Sequence, residues 1–267
     1  MRILALLSLF AAVSVASPVD QAFERLYNFD FTGAHRIIDA HVVSDPADPL
    51  SYVVRASALL FQELDRLQIL EGEFFSDDKR FIDKKKIKAD AATREQFFRC
   101  VNESEQCAKA RLAINSKDAD ALFTMSLASG LTADYNSMIE KKQWNSFSYL
   151  KQSNEFAQTL IRQHPTFVDA YLASGLSEYL IGSLPFFLRW FVKMDGVDGS
   201  KDMAAQKMLK VAQSGRYLKP FAKILLSIYY LREKKPEQSR TYLVELSRDF
   251  PENPLFRKEL QKVVRIR

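Results

Sequence analysis

Two cysteines, three histidines, eight glycines and nine prolines are spread over 267 residues, and each scarcity excludes something. So few glycines and prolines do not serve an all-β protein, which needs many tight turns; long stretches without either favour helices. Cys100 and Cys107 stand seven positions apart. On one helix that is two turns, about 10.5 Å of rise, whereas a disulfide tolerates Cα atoms only up to about 7 Å apart. No second Cys or His pair lies nearby to complete a zinc site, so both read as small buried hydrophobes on a helical stripe. His35 and His41, six positions apart, fall roughly on opposite sides of a helix at about 100° per residue, and His164 has no partner at metal spacing.

Chemistry-bearing motifs are equally sparse. There is no nucleophile elbow, no phosphate-cradling glycine loop and no zinc-protease helix. Glu71-Gly72-Glu73 is the nearest approach to paired carboxylates; acids at that spacing diverge on a helix, and the expectation is a solvated helix end. The stretch from Asp195 to Asp202 has the composition of a calcium loop but the wrong Asp spacing, with Gln206 where the bidentate Glu should fall. A turn followed by a helix capped by Asp198 or Ser200 is expected instead. These residues lead to no expectation of an enzyme, a cofactor or a metal.

What is present is ordinary globular material: 47% hydrophobic, 27% charged, net charge +5. That charge gives at most a mild preference for acidic partners. Residues 1–16 read as a secretory signal: Arg2 begins a positive n-region, Ile3 to Val13 form a short apolar run, and Ser14-Val15-Ala16 put small residues where a signal peptidase reads. Cleavage is expected after Ala16. The apolar run is short of the roughly 20 residues that span a bilayer. The expected product is a single helical domain over residues 17–267, periplasmic or secreted from a bacterial host.

Apolar residues recur at helical steps nearly everywhere. The stripes include Leu50, Val53, Val54, Ser57, Leu60, Phe61 and Leu64; Phe97, Cys100, Val101, Ser104, Cys107 and Ala108; Phe221, Ile224, Leu225 and Ile228; and Ser239, Tyr242, Leu243, Leu246 and Phe250. A junction between helices also recurs, at residues 43–52, 114–123, 162–171 and 248–256. In three of the four copies, proline prevents the earlier helix from continuing. An Asp or Asn (Asp48, Asp118, Asp169, Asn253) then stands ready to cap the next helix by accepting from an orphan N–H. Ala56, Ala128 and Ala173 fall where facing helices must approach closely.

These junctions resemble those of the tetratricopeptide repeat (TPR), a helical hairpin of about 34 residues. The match is strongest from Asp169 to Leu176 and from Ser239 to Pro251. The Trp-Leu-Gly-Tyr pattern of the consensus is never complete, and the spacing implies lengthened helices with a basic insertion near residues 75–90. From Asp118 to Leu260 the chain resembles bacterial exported TPR proteins of unassigned function. It is also weakly similar to a eukaryotic TPR family linked to the outer mitochondrial membrane and inclusion-body clearance. The resemblance implies an all-α, TPR-like α-solenoid of about five antiparallel helix pairs. It implies a groove that recognises a peptide or helix of a partner protein, and it brings no catalytic residues.

Two runs are candidate partner-binding sites. Leu184 to Val192 carries Phe186, Phe187, Arg189 and Trp190; it reads either as a short helix plugging the space between hairpins or as an exposed aromatic anchor for a partner or a membrane interface. Burial is the commoner fate of such aromatics. Lys79 to Lys88 concentrates Lys84, Lys85 and Lys86, which serve either a solvated insertion or a patch for anionic lipid, polysaccharide or an acidic protein face. An exported protein rarely meets nucleic acid, so none is expected as partner. The primary reading is a protein-interaction scaffold. Its rivals are a membrane-surface adaptor in the envelope, using the basic insertion or the aromatic helix, and a helical-toroid enzyme acting on envelope polymers, which requires convergent carboxylates in a deep cleft.

Overall fold

The computed structural model describes residues 16–71, 88–183 and 197–265. Among them there are eleven α-helices and no strand. In chain order they are α1 (Pro18–Tyr27), α2 (Phe31–Ser44), α3 (Pro49–Arg66), α4 (Ala91–Ile114), α5 (Ala119–Asp134), α6 (Gln143–Gln163), α7 (Ala170–Ser183), α8 (Lys201–Ser214), α9 (Lys219–Arg232), α10 (Pro236–Asp249) and α11 (Pro254–Val264). A π-helical turn, Tyr135–Ile139, continues α5. Each helix packs on the next, giving five antiparallel pairs (α1–α2, α3–α4, α5–α6, α7–α8, α9–α10) and a last single helix. This is the all-α, TPR-like solenoid that the junctions imply.

The expected stripes pack the pairs together, with one shift. Val53, Val54, Leu60 and Leu64 of α3, Phe97 and Val101 of α4, and Leu243 and Leu246 of α10 are buried. On α9 the buried apolar residues are Ala222, Leu226 and Tyr229, while Phe221, Ile224, Leu225 and Ile228 are half-buried. The face is turned by about one residue, because α9 packs against helices on two sides and Phe221 lines a cavity rather than the helix contact. Cys100 is buried but Cys107 is only partly so, and both thiols are free. Between α7 and α8 the close approach needs a glycine: a Cβ on Gly175 would sit 3.0 Å from Lys207 Cβ and 3.2 Å from the Ala204 carbonyl oxygen.

An antiparallel series has two edges, and the chain treats them differently. Among the described residues, the turns within pairs each hold one residue in the left-handed region: Phe29 (φ 65°), Gln68 (57°), Lys141 (57°), Gly199 (70°) and Lys234 (59°). At three of them the following amide bonds back over the helix end, Asp30 N–H to Arg25 O at 2.9 Å, Ile69 N–H to Leu64 O at 2.8 Å and Lys235 N–H to Tyr230 O at 2.8 Å. This is the Schellman closure of a helix C-terminus. Side-chain caps occur at both edges: Asp30, Asp90 and Ser200 cap the second helices of three pairs, and the turns between pairs use them as well. Asp48 accepts from Leu50 and Ser51 N–H, Asp118 from Ala121 N–H and Asn253 from Leu255 N–H.

The third junction departs from expectation. Asp169 does not cap α7, which it precedes; both its oxygens turn to a fifth junction, residues 215–218, that has no proline-acid signature of its own. Asp169 accepts from Arg216 N–H (2.9 Å), Tyr217 N–H (3.1 Å) and Leu218 N–H (2.7 Å). One acid therefore organises two junctions, because the solenoid brings them side by side.

The series also curls onto itself. Tyr27 Oη of α1 donates to the Tyr217 carbonyl at 3.0 Å, and Asn253 Nδ2 donates to the Tyr27 carbonyl at 2.8 Å. Arg216 forms a two-bond ion pair with Asp20 at 2.9 and 2.8 Å. Glu71, expected to be solvated, pairs with Lys258 of α11 at 2.6 Å. The first, second and fifth pairs and the last helix thus meet, and the concave face becomes a partly enclosed cavity.

Candidate functional site

The first helices of successive pairs touch one another, α1 on α3, α3 on α5 and α5 on α7. They form the inner row, and a cavity of about 80 Å³ lies among them, bordered by α1, α3, α5, α6, α7 and the start of α9. Its mouth is ringed by the half-exposed residues Phe61, Leu127, Gly130, Asp134, Ala173 and Phe221; its floor includes Leu131 and Leu172. Phe61 meets Phe221 edge to face at 5.8 Å, and Phe123 stacks on Tyr217 at 5.8 Å.

Most polar groups of this wall are already used. Ser126 Oγ donates to the Ser153 carbonyl at 2.9 Å and Ser153 Oγ returns a bond to the Ser126 carbonyl at 2.8 Å. Ser57 Oγ donates to the Val53 carbonyl at 2.9 Å. Asp169 is consumed by its three amides. Burial pushes its carboxyl above the ordinary carboxylate range, against the pull of those amides.

Asp134, the last residue of α5, is different. Among the described residues its carboxyl has no hydrogen-bond donor and no cation beside it. Asp134 is a partly exposed lining residue of the cavity, and burial pushes its pKa up to about 7. A largely buried carboxyl without a partner is costly unless it is protonated or meets a cation.

A second depression lies along α4; among the described residues it is lined by that helix, from Ala91 to Gln106. Arg94 there stacks over Phe98 at 4.8 Å and pairs with Glu140 at 2.7 Å. The concave cavity is lined by described residues of six helices and is the better candidate site.

Of the sequence-predicted site residues, Lys84, Lys85 and Lys86 and Phe186, Phe187, Arg189 and Trp190 lie outside the described residues. The residues that flank them are described; they lie in turns within pairs and serve as anchor points. Two buried glutamates hold those anchors. Glu63 pairs with Arg66 at 2.7 Å and accepts from Asp90 N–H at 2.8 Å. Glu178 pairs with Lys207 at 3.1 Å, and its Oε2 accepts from Asp198, Gly199 and Ser200 N–H at 3.1, 2.7 and 3.1 Å. Ser200 caps α8 by accepting from Met203 N–H, as expected. Sequence reasoning missed Asp134, Glu63 and Glu178. An acid on an otherwise apolar helical face was the one available signal, and at Asp134 it looked like an ordinary helix end.

Among the described residues no three or more His, Cys, Asp or Glu side chains are placed to hold a metal ion. None of the described helices is long and apolar enough to cross a membrane.

The fold defines the chain as a TPR-like helical solenoid. No family model and no curated protein matches its sequence. Among solved structures it is similar to the crystal structure of a thermophilic TPR protein in Thermus thermophilus, with a TM-score of 0.50 and 14% identity, covering 92% of this chain and 97% of that one. At that identity the likeness is one of fold.

Proposed function

We propose that the protein is an exported scaffold that binds a segment of a partner protein on the concave face of the solenoid. The observation that carries this reading is the cavity among α1, α3, α5 and α7, with half-exposed Phe61, Leu127 and Phe221 at its mouth. Stacked hairpins present such surfaces for peptide or helix recognition. The toroid-enzyme reading needs two available carboxylates; both oxygens of Asp169 are held by backbone amides, which leaves Asp134 alone in the cavity. The reading is tested by retaining partners from the cell envelope on the mature chain, with Leu127→Arg filling the cavity mouth as control. Retention of the same proteins by both forms, each correctly folded by circular dichroism, argues against the groove.

Export is supported by the start of α1. Cleavage after Ala16 leaves a whole helix cap, in which Ser17 Oγ accepts from Asp20 N–H at 3.1 Å. Cell fractionation and N-terminal sequencing test this: the expected mature terminus is Ser17, and an uncleaved cytoplasmic chain contradicts it.

One observation favours the membrane-surface reading as the alternative: the described residues that flank the basic and aromatic segments both lie in turns within pairs, where Glu63 and Glu178 hold them. Flotation of the mature chain with anionic liposomes at low salt separates this alternative from a scaffold that stays in the aqueous phase.

A further inference from the structure

We infer that the concave cavity selects a lysine side chain of the partner segment, seating its ammonium against the Asp134 carboxylate. This rests on the groove reading above and adds the residue that the groove recognises.

Three features point to this occupant. The first is charge. Asp134 is the only acid of the cavity wall whose oxygens are not engaged by described residues, since Asp169 is saturated. A wholly apolar occupant would seal that carboxyl away from water without a partner, which forces it to stay protonated or leaves a buried charge unpaired. A cation removes the penalty.

The second is size. About 80 Å³, at roughly 10–15 Å³ for each water-sized atom, holds about five to eight such atoms. A lysine side chain, a four-carbon stem ending in an ammonium, fills that space, and its methylenes lie along Phe61, Leu127 and Phe221 as lysine stems do on apolar surfaces.

The third is the count of donors and acceptors. An ammonium has three donors, and a guanidinium has five in a rigid fork. The oxygens of Ser57, Ser126 and Ser153 keep lone pairs, but all three residues are buried, with their hydroxyls turned to carbonyls. One carboxylate with water at the mouth can satisfy an ammonium. A guanidinium would be left with unmet donors against apolar walls, so lysine is preferred over arginine.

The test uses the mature chain and two probes of equal size, n-butylammonium and 1-butanol, titrated at pH 8. The amide signals of Gly130, Asp134 and Ala173 are followed by nuclear magnetic resonance. Butylammonium is expected to saturate at a concentration about tenfold lower, which corresponds to about 1.4 kcal/mol. Asp134→Asn should shrink the preference to within about twofold while leaving the remaining spectrum in place. Equal binding of the two probes, or a preference that survives Asp134→Asn, overturns the inference.

A displayed peptide library supplies the second arm. Wild-type protein should enrich lysine flanked by apolar residues, and Asp134→Asn should lose that enrichment. Enrichment of apolar peptides without lysine keeps the groove and ends the lysine assignment. Butylammonium binding with no peptide enriched makes the cavity a small-amine site and ends both readings.

Discussion

The Oδ1 atom of Asp169 lies 2.7 Å from the amide nitrogen of Leu218, a residue 49 positions further along the chain. With Arg216 and Tyr217 N–H on the same carboxylate, three buried or half-buried donors depend on one side chain. Asp169→Ala leaves them unmet and should destabilise the protein by about 3–5 kcal/mol. Urea unfolding measures this; a loss below about 1 kcal/mol means water replaces the carboxylate without difficulty.

Asp134 makes stability fall as pH rises. Its folded pKa of about 7 stands above the roughly 3.9 of an unfolded Asp. The folded state therefore binds the proton more tightly. Its contribution is fully present below about pH 4 and is lost as pH rises through about 7. Asp169 is shifted in the same direction, so the comparison must be with a variant. Asp134→Asn should be more stable than wild type at pH 8, by about 1–3 kcal/mol after allowing for its partial exposure, and nearly equal to it at pH 4.5. An equal melting-temperature difference at both pH values contradicts the assignment.

Glu178 ties the start of α8 to α7 through three amides and Lys207. Glu178→Ala strands Lys207 and the turn at residues 198–200, and should cost about 3–5 kcal/mol. Hydrogen exchange should accelerate first at Asp198, Gly199 and Ser200. Uniform acceleration across the chain would instead indicate global unfolding only.

Lys234 occupies a left-handed position at φ 59°. A non-glycine residue there carries a strain of about 1–2 kcal/mol, while glycine adds an entropic cost of roughly 0.5–1 kcal/mol. Lys234→Gly should therefore stabilise by about 0.5–1 kcal/mol. Thermal unfolding that shows a decrease would mean that the lysine side chain contributes more than its backbone costs.

Tyr135 is fully buried, stacked on Phe97 at 4.8 Å, and its hydroxyl has no hydrogen-bond partner among the described residues. Removing an unmet hydroxyl relieves its desolvation. Tyr135→Phe should keep or raise the melting temperature, and a fall of several degrees would reveal a water bound at the hydroxyl.

Legibility differed between the two edges of the solenoid. Turns between pairs carry chemistry that any sequence displays: Pro46, Pro165 and Pro251 stop helices, and Asp48, Asp118 and Asn253 cap them. Turns within pairs repeat in backbone conformation, with Asp30, Asp90 and Ser200 capping the next helix at three of them. Phe29, Gln68, Lys141, Gly199 and Lys234 share a positive φ but no side-chain feature, and only one is the glycine that would have marked it. The fifth junction was invisible for a related reason, since its cap is borrowed from Asp169.

Fold class, helix stripes and four of the five junctions are written in the residues themselves, because period and capping act over a few positions. Where the curve closes is a matter of packing. Closure turned an ordinary-looking acid at the end of α5 into the unpartnered group of an apolar cavity, and it gave Asp169 and Glu178 their partners. Burial and the meeting of residues tens of positions apart depend on how whole helices pack, and no local pattern encodes them.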